Sequence, residues 1–356
     1  MANERIHEMP VTRGVYQVRG TVNGVEKQNF YSEKKTKTNK DFRMVNFGVE
    51  YDHGKTVYMS LNGMVKDNVY FSKRLDNGKT DTKTVSWANR NVKDSDGYRL
   101  IGVGLGLVKT TDNSGKVIND KKTMVDFDAC RYISENMEDD ASVFVRGNLE
   151  FSSYTNKNGE VSRSTKFIPN QISLCKDVDF DDESYEQLHD FTQRIVFVGV
   201  DQEKDANDKA TGRFVVEAKI VTYNSVESAE FIIEDSKLAK QFKNGLRSYW
   251  AIDVHGRINV VNNVETVEEE DCWGESNAMN RVSAPTKREF VITGATPSTI
   301  DKEAYTEKAI SEAIRKMNAA KQAENNFNGA ASVSSESGDD DWGDSGTIET
   351  DEDMPW

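Results

Sequence analysis

Apolar and polar residues alternate through Val15-Tyr16-Gln17-Val18-Arg19-Gly20-Thr21-Val22, from Phe42 to Val49 and from Thr56 to Leu61, with Asp52-His53-Gly54 between the last two. Strand side chains point to opposite faces with a period of two, so each stretch predicts a half-buried strand, and the short turn predicts antiparallel pairing. Cys130 to Met137 reads as a short helix, and Ala141 to Phe151 and Thr165 to Leu174 as two further strands around an Asn156-Lys157-Asn158-Gly159 turn. Three strands, a helix and two strands is the order of an OB-fold barrel. The order returns downstream, with strands at Arg194 to Val200, Gly212 to Tyr223 and Ser228 to Ile233. A helix from Lys237 to Gly245, capped by Ser236, and strands at Tyr249 to Val261 and Arg288 to Gly294 complete it, with no obvious residue identity between the halves. The expected fold class is mainly β: tandem OB-fold-like five-stranded barrels, a β-hairpin insertion in the first, a C-terminal helix and a disordered acidic tail.

Residues 66–127 are too long for an ordinary connection and carry their own alternating stretches between Gly-containing turns, which is why they read as the insertion. The acidic break from Asp177 to Glu183 places a domain boundary there. The expected domains are 1–176 and 184–300, followed by an amphipathic helix over 301–324 and a linker and tail over 325–356. On that helix Ala309, Ile310, Ala313, Ile314 and Met317 share one face. Glu265 to Thr286 reads as an acidic loop in the second domain.

Charge refines this picture once it is divided along the chain. The formal net charge is −14, yet residues 1–175 hold 27 Lys and Arg against 22 Asp and Glu. Residues 176–328 hold 19 against 29, and residues 329–356 hold nine acids and no cation. A footprint for a polyanion belongs to a surface and not to a total, so the first half is where nucleic acid is expected. No apolar run approaches the roughly 20 residues of a membrane helix, and the N-terminus has no apolar signal core. Cys130, Cys175 and Cys272 are widely spaced. These features predict a cytosolic protein without a disulfide framework, metal site or cofactor.

The densest candidate chemistry is Lys27 to Tyr51, where Lys34, Lys35, Lys37, Lys40 and Arg43 surround the loop expected between the first two strands. Phe30, Tyr31, Phe42 and Phe47 are interleaved with them, and alternation sends Phe47 and at least one of Phe30 and Phe42 into the core. Cations tracking phosphates beside rings that stack on bases is the pairing that sequence-tolerant single-strand binding needs. A second cluster comprises Tyr70, Phe71, Lys73, Arg74, Trp87 and Arg90, with Lys79 and Lys83 between them. A third is the hairpin of Tyr154, Lys157, Arg163 and Lys166, in the other loop that borders an OB-fold groove. Gly102-Val103-Gly104-Leu105-Gly106 lacks the later glycine and following helix of a nucleotide fingerprint, and the four histidines fall singly. Asp126 and Asp128 at strand spacing, and Asp181-Asp182-Glu183, are the carboxylates a magnesium-dependent nuclease would use, but no catalytic constellation surrounds them.

The chain closes on Gly338 to Trp356, acidic residues among small polar ones, ending in Asp351-Glu352-Asp353-Met354-Pro355-Trp356. An apolar hook behind an acidic run suits a shallow apolar pocket rimmed by Lys and Arg on another protein. This ending resembles the acidic tip, Asp-Asp-aliphatic-Pro-Phe, of bacterial and phage single-stranded-DNA-binding proteins, with Trp356 at the place of the Phe. The resemblance covers the tip and acidic linker only. It implies that Asp351, Glu352, Asp353, Met354, Pro355 and Trp356 recruit replication, recombination or repair proteins, and that the tip can fold back on the protein's own DNA groove. The expectation is a single-stranded-DNA-binding protein, not an enzyme, phage-encoded and working in the host cytoplasm, with homo-oligomerisation left open. The alternatives are a nucleic-acid enzyme, such as a nuclease or annealing recombinase, and an OB-fold protein-binding adaptor.

Overall fold

The computed structural model describes residues 5–330 apart from 93–95, 156–160, 206, 262–263, 266–281 and 284–286. The expectations for Lys157, Cys272, most of the acidic loop and the tip from Asp351 to Trp356 lie outside those residues. The chain divides into two compact units, one of residues 13–194 and the other of residues 1–12 with 195–356.

In the first unit, β1 (Gly14–Asn23) buries every second residue, with Tyr16, Val18 and Val22 in the core. β2 (Tyr31–Lys35), β3 (Asp41–Asp52) and β4 (Lys55–Met64) form an antiparallel meander in which β3 also pairs with the end of β1. Gly54, at φ 69°, makes the turn between β3 and β4 in the left-handed region that glycine enters without a Cβ penalty. The insertion contributes β5 (Asn68–Arg74), β6 (Thr80–Ser86), β7 (Arg99–Leu100), β8 (Val103–Gly106), β9 (Lys109–Thr111), β10 (Val117–Asn119) and β11 (Lys122–Met124). Helix α1 (Asp126–Asn136) follows, and β12 (Ser142–Thr155) and β13 (Val161–Leu174) complete the barrel. β12 pairs with β1 and with β13, and β13 lies against β4, so the five principal strands follow the OB-fold order.

Helix α1 covers an end of the barrel with Phe127, Ala129, Cys130 and Ile133. The Cys130 thiol reaches to 3.3 Å from the Leu61 carbonyl, and burial pushes its pKa up to about 12. A Cβ at Gly63 would sit 2.2 Å from the Phe127 amide nitrogen, so glycine is what lets the helix approach β4.

The insertion is more than the hairpin expected from the sequence. β6, β5 and β7 form a three-stranded sheet, β9 and β10 a separate hairpin, and β8 adds to the barrel by pairing in parallel with β13, with β11 beside it. The glycine run from Gly102 to Gly106 therefore shapes a strand, and a Cβ at Gly102 would meet the Met124 carbonyl oxygen at 2.2 Å.

The boundary also differs from the acidic break. β14 (Leu188–Lys204) starts inside the first unit, where Leu188 to Gln193 pair antiparallel with β1, because β1 has an open edge there that satisfies their backbone groups. Asp177 to Glu183 lies in the segment leading into that strand, with His53 Nε2 3.1 Å from Asp181.

The second unit is a closed barrel. The rest of β14, β15 (Ala210–Val221), β16 (Val226–Ile233), α2 (Ser236–Gly245), β17 (Ala251–Val261) and β20 (Lys287–Asp301) repeat the order strand, strand, strand, helix, strand, strand. Between β17 and β20 lies the small ladder of β18 (Val264–Glu265) with β19 (Val282–Ser283). β14 pairs with β15 and β17, and β16 closes the ring by a parallel contact with β20 at Ile232 and Val291. Asp235, and not Ser236, caps α2, its carboxylate accepting from the Lys237 amide. Helix α3 (Glu307–Ala330) sets Ile310 and Ala313 into this unit's core, where Met9 of the N-terminal segment also packs. No helix among the described residues is long and apolar enough to cross a membrane.

Candidate nucleic-acid interface

The register of β2, β3 and β4 decides which of the clustered residues share a face. Val45, Phe47, Val49 and Tyr51 point into the barrel, so Phe42, Met44, Asn46 and Gly48 point out. Pairing sets Lys34, Phe42 and Met64 in one cross-strand row, Ser32, Met44 and Asn62 in the next, and Tyr58 opposite Gly48. Tyr58 is 44% exposed and Met64 40%, and the Lys27 ammonium lies 5.9 Å from the Tyr58 ring centre. The outer face of the second and third barrel strands thus presents Phe42, Met64 and Tyr58 with Lys27 and Lys34 beside them. In an OB-fold this is the oligonucleotide face. Tyr58, Met64 and Lys27 were not singled out from the sequence.

The lysine cluster is spread differently from the loop first expected. Lys34 and Lys35 are on β2, Arg43 is on β3, and only Lys37 and Lys40 lie in the turn, where Asn39 takes φ 58°. Lys35 pairs with Asp41 at 2.8 Å and Lys40 with Asp67 at 4.0 Å, on exposed side chains where such pairs exchange readily with another anion. Arg43 is a structural cation. Its guanidinium lies 3.9 Å from the Phe127 ring centre and 3.0 Å from Glu33, with its side chain only 11% exposed.

Phe30 is core, at 6% exposure, and Tyr31 faces the barrel side on the row of Val45, its hydroxyl donating to Glu33 at 2.9 Å. Burial first, and the Glu33 hydrogen bond second, push the Tyr31 pKa up to about 12. The Arg43 hydrogen bond, then that from Tyr31, holds the Glu33 carboxyl below its ordinary 4.5. A carboxyl whose folded pKa is depressed adds stability above its unfolded pKa and loses it as pH falls through the folded value. Glu33→Gln should therefore lower the melting temperature at neutral pH, and the gap to the parent chain should close as pH falls below about 4.5. A gap that persists at low pH would show that the charge of Glu33 is not what stabilises this corner.

In the insertion, Phe71 is buried with Val69 against Val125 and Phe127, and Trp87 packs edge-on to Phe127 at 6.0 Å. Arg90 lies over Trp87 at 4.7 Å and pairs with Asp128 through Nε at 2.6 Å and Nη2 at 3.3 Å. Phe71, Trp87 and Arg90 thus hold the insertion to α1. Lys73 donates to the Asp96 carbonyl at 2.8 Å and, like Lys83, lies over Tyr98. Tyr70 and Arg74 are exposed on the opposite side of β5. Asp126 and Asp128 form the first turn of α1 and not a strand; burial raises the Asp126 pKa, and Asp128 belongs to Arg90. Among the described residues no group of three or more His, Cys, Asp or Glu is placed to hold a metal ion.

On the β12–β13 hairpin, Tyr154 is 37% exposed and pairs across to Ser162, on the same face as Lys166, which sits opposite Glu150. Arg163 is opposite Ser153 and points the other way.

The second barrel has the same strands and a different face. On β15 and β16 the outward row sets Glu217 directly opposite Glu230, with Lys219 opposite Ser228. Two carboxylates facing each other across a ladder repel one another and any phosphate brought to them.

No curated protein matches the chain. Among solved structures, it is similar to an internal-deletion mutant of the single-stranded DNA binding protein from Thermus aquaticus, at 12% identity and a TM-score of 0.37, covering 80% of this chain and 93% of that one. It is similar also to the wild-type form of that protein, at 14% identity and a TM-score of 0.33, covering 75% of this chain and 96% of the other. Residues 14–329, a span that takes in both barrels and nearly all of α3, match the family described as YorF, and the chain belongs to the YorF family.

Proposed function

We infer that this is a single-stranded-DNA-binding protein in which the outer face of β3 and β4 receives the strand. The observation that carries the reading is the row of Lys34, Phe42 and Met64 together with Tyr58, further along the same outward face, on the OB-fold's ligand face. Rings there stack on bases without regard to sequence, while Lys27, Lys34, Lys37 and the exchangeable pairs of Lys35 and Lys40 meet phosphates. The Glu217 and Glu230 row speaks against the equivalent face of the second barrel. The reading is of a coating protein, not an enzyme, serving replication, recombination or repair in the cytoplasm. Its tip, Asp351 to Trp356, recruits partner proteins, as the resemblance of that ending implies.

Fluorescence anisotropy with labelled oligo-dT, with and without Mg²⁺, tests the function. Tight binding of single strand over duplex, without cleavage, is expected. Log affinity should fall linearly with log salt by about 0.7 per phosphate contact, and Lys34→Ala with Lys37→Ala should flatten the slope by about 1.4. Trp356→Ala should leave DNA affinity unmoved and weaken capture of the partner enzymes. Cleavage would favour the nuclease alternative, and absence of binding the adaptor.

A further inference from the structure

We propose that the exposed face of the β6-β5-β7 sheet is a second, separate single-strand contact, extending the DNA track beyond the barrel; this rests on the function proposed above. Register places Tyr70 opposite Thr84, Ser72 opposite both Thr82 and Arg99, and Arg74 opposite Thr80, all on one face. The other face is glued to α1 by Val69 and Phe71. Asp81, the one carboxylate on these three strands, is opposite Lys73 on that glued side. The free face therefore carries an aromatic ring, two guanidinium groups and a row of hydroxyls, with no acid.

Three properties point to a polyanion with stackable rings. Tyr70 is 52% exposed, more than Tyr58 or Tyr154, on a strand whose alternate residues are buried. Among the described residues no side chain pairs with Arg74 or Arg99, unlike Arg43 and Arg90, which are committed to Glu33 and Asp128. Beside Tyr70 the only apolar residue on the described part of this face is Ile101, 55% exposed and bonded through its amide to the Tyr70 carbonyl at 2.8 Å, so the face lacks the broad apolar core that a protein interface needs. The sheet is also rooted beside the first site. Three residues separate Met64 from the start of β5, and the Val65 amide bonds to the Asp41 carbonyl at 3.0 Å, beside the Lys35 to Lys40 turn. Tyr70 lies six residues beyond Met64, at most ~20 Å along the chain.

The test uses the full chain and labelled oligo-dT of increasing length. For the parent protein, affinity should rise with length until both faces are filled. In Tyr70→Ala/Arg74→Ala/Arg99→Ala, binding of the shortest oligomers should be unchanged, the further gain of about tenfold or more on longer ones should vanish, and the salt slope should fall by about 1.4 for two lost phosphate contacts. These side chains are exposed, so the fold should survive; Arg74→Glu/Arg99→Glu, which keeps Tyr70, provides a second variant with the same expected loss. An unchanged length dependence and slope in both variants overturns the proposal. So does a change in oligomeric state by sedimentation without any change in DNA binding, which would make the face a protein contact. If Tyr58→Ala leaves short-oligomer binding intact while the insertion variants lose it, the barrel site is wrong and the insertion site stands. A parent chain that binds no oligomer at any length overturns both.

Discussion

Tyr58→Ala should weaken oligo-dT binding by roughly ten- to a hundredfold while the melting temperature stays close to that of the parent chain. A ring stacked on a base contributes roughly 1–3 kcal/mol, and about 1.4 kcal/mol is a factor of ten. Tyr58 is 44% exposed and faces Gly48, so its removal opens no cavity. Phe42→Ala should act in the same direction, with some cost in stability because Phe42 is half-buried. Phe30→Ala is the contrasting case. At 6% exposure it should destabilise the first unit by roughly 3 kcal/mol or more, and its effect on binding should follow the unfolded fraction. Equilibrium titrations beside urea denaturation separate the two. If Tyr58→Ala and Phe42→Ala both bind like the parent, the strand does not lie on the β3 and β4 face.

Gly147→Ala and Gly256→Ala should each destabilise their own barrel by roughly 1–3 kcal/mol or more, the cost of forcing volume into close packing. Both glycines stand in the fourth barrel strand at a register shift, Arg146/Gly147 in β12 and His255/Gly256 in β17. A Cβ at Gly147 would sit 2.0 Å from the Ile168 carbonyl oxygen, and one at Gly256 would sit 1.9 Å from that of Val291. In both cases the obstacle is backbone of the fifth strand, which cannot swing aside as a side chain can. Gly199→Ala is the control, since a Cβ there meets nothing within 4 Å. It should be neutral or stabilising by about 0.5 kcal/mol, through a less flexible unfolded chain. Urea denaturation measures all three, and equal stabilities for Gly147→Ala and Gly199→Ala would show that the bulge relaxes without cost.

These two glycines are also a local sequence signal. Val145-Arg146-Gly147 and Val254-His255-Gly256 are a shared Val-x-Gly signature in the fourth strands of both halves, a residue-level mark of the repeat beside its element order. Element order sufficed for the fold class because alternation and turn residues are local. A strand with one buried face must alternate, and both barrels use such strands throughout. Charge partition was equally legible, since it is a sum over sequence. The unit boundary was not, because Leu188 to Gln193 were assigned by hydrogen bonds to β1, some 170 residues earlier, and no composition break records that.

The site divides along the same line. The sequence by itself determined that rings and cations are dense between Lys27 and Tyr51, and that half of those rings must point inward. Only register decided which half: it sent Phe42 out beside Lys34 and Met64, brought in Tyr58 from the next strand, and turned Arg43 towards Phe127. Likewise Trp87 and Arg90 look like a basic-aromatic pair for nucleic acid until Phe127 and Asp128, 40 and 38 positions away, claim them. A side chain's type is a property of the sequence, but its availability depends on which distant groups desolvate or neutralise it, and those meet only when the barrel closes.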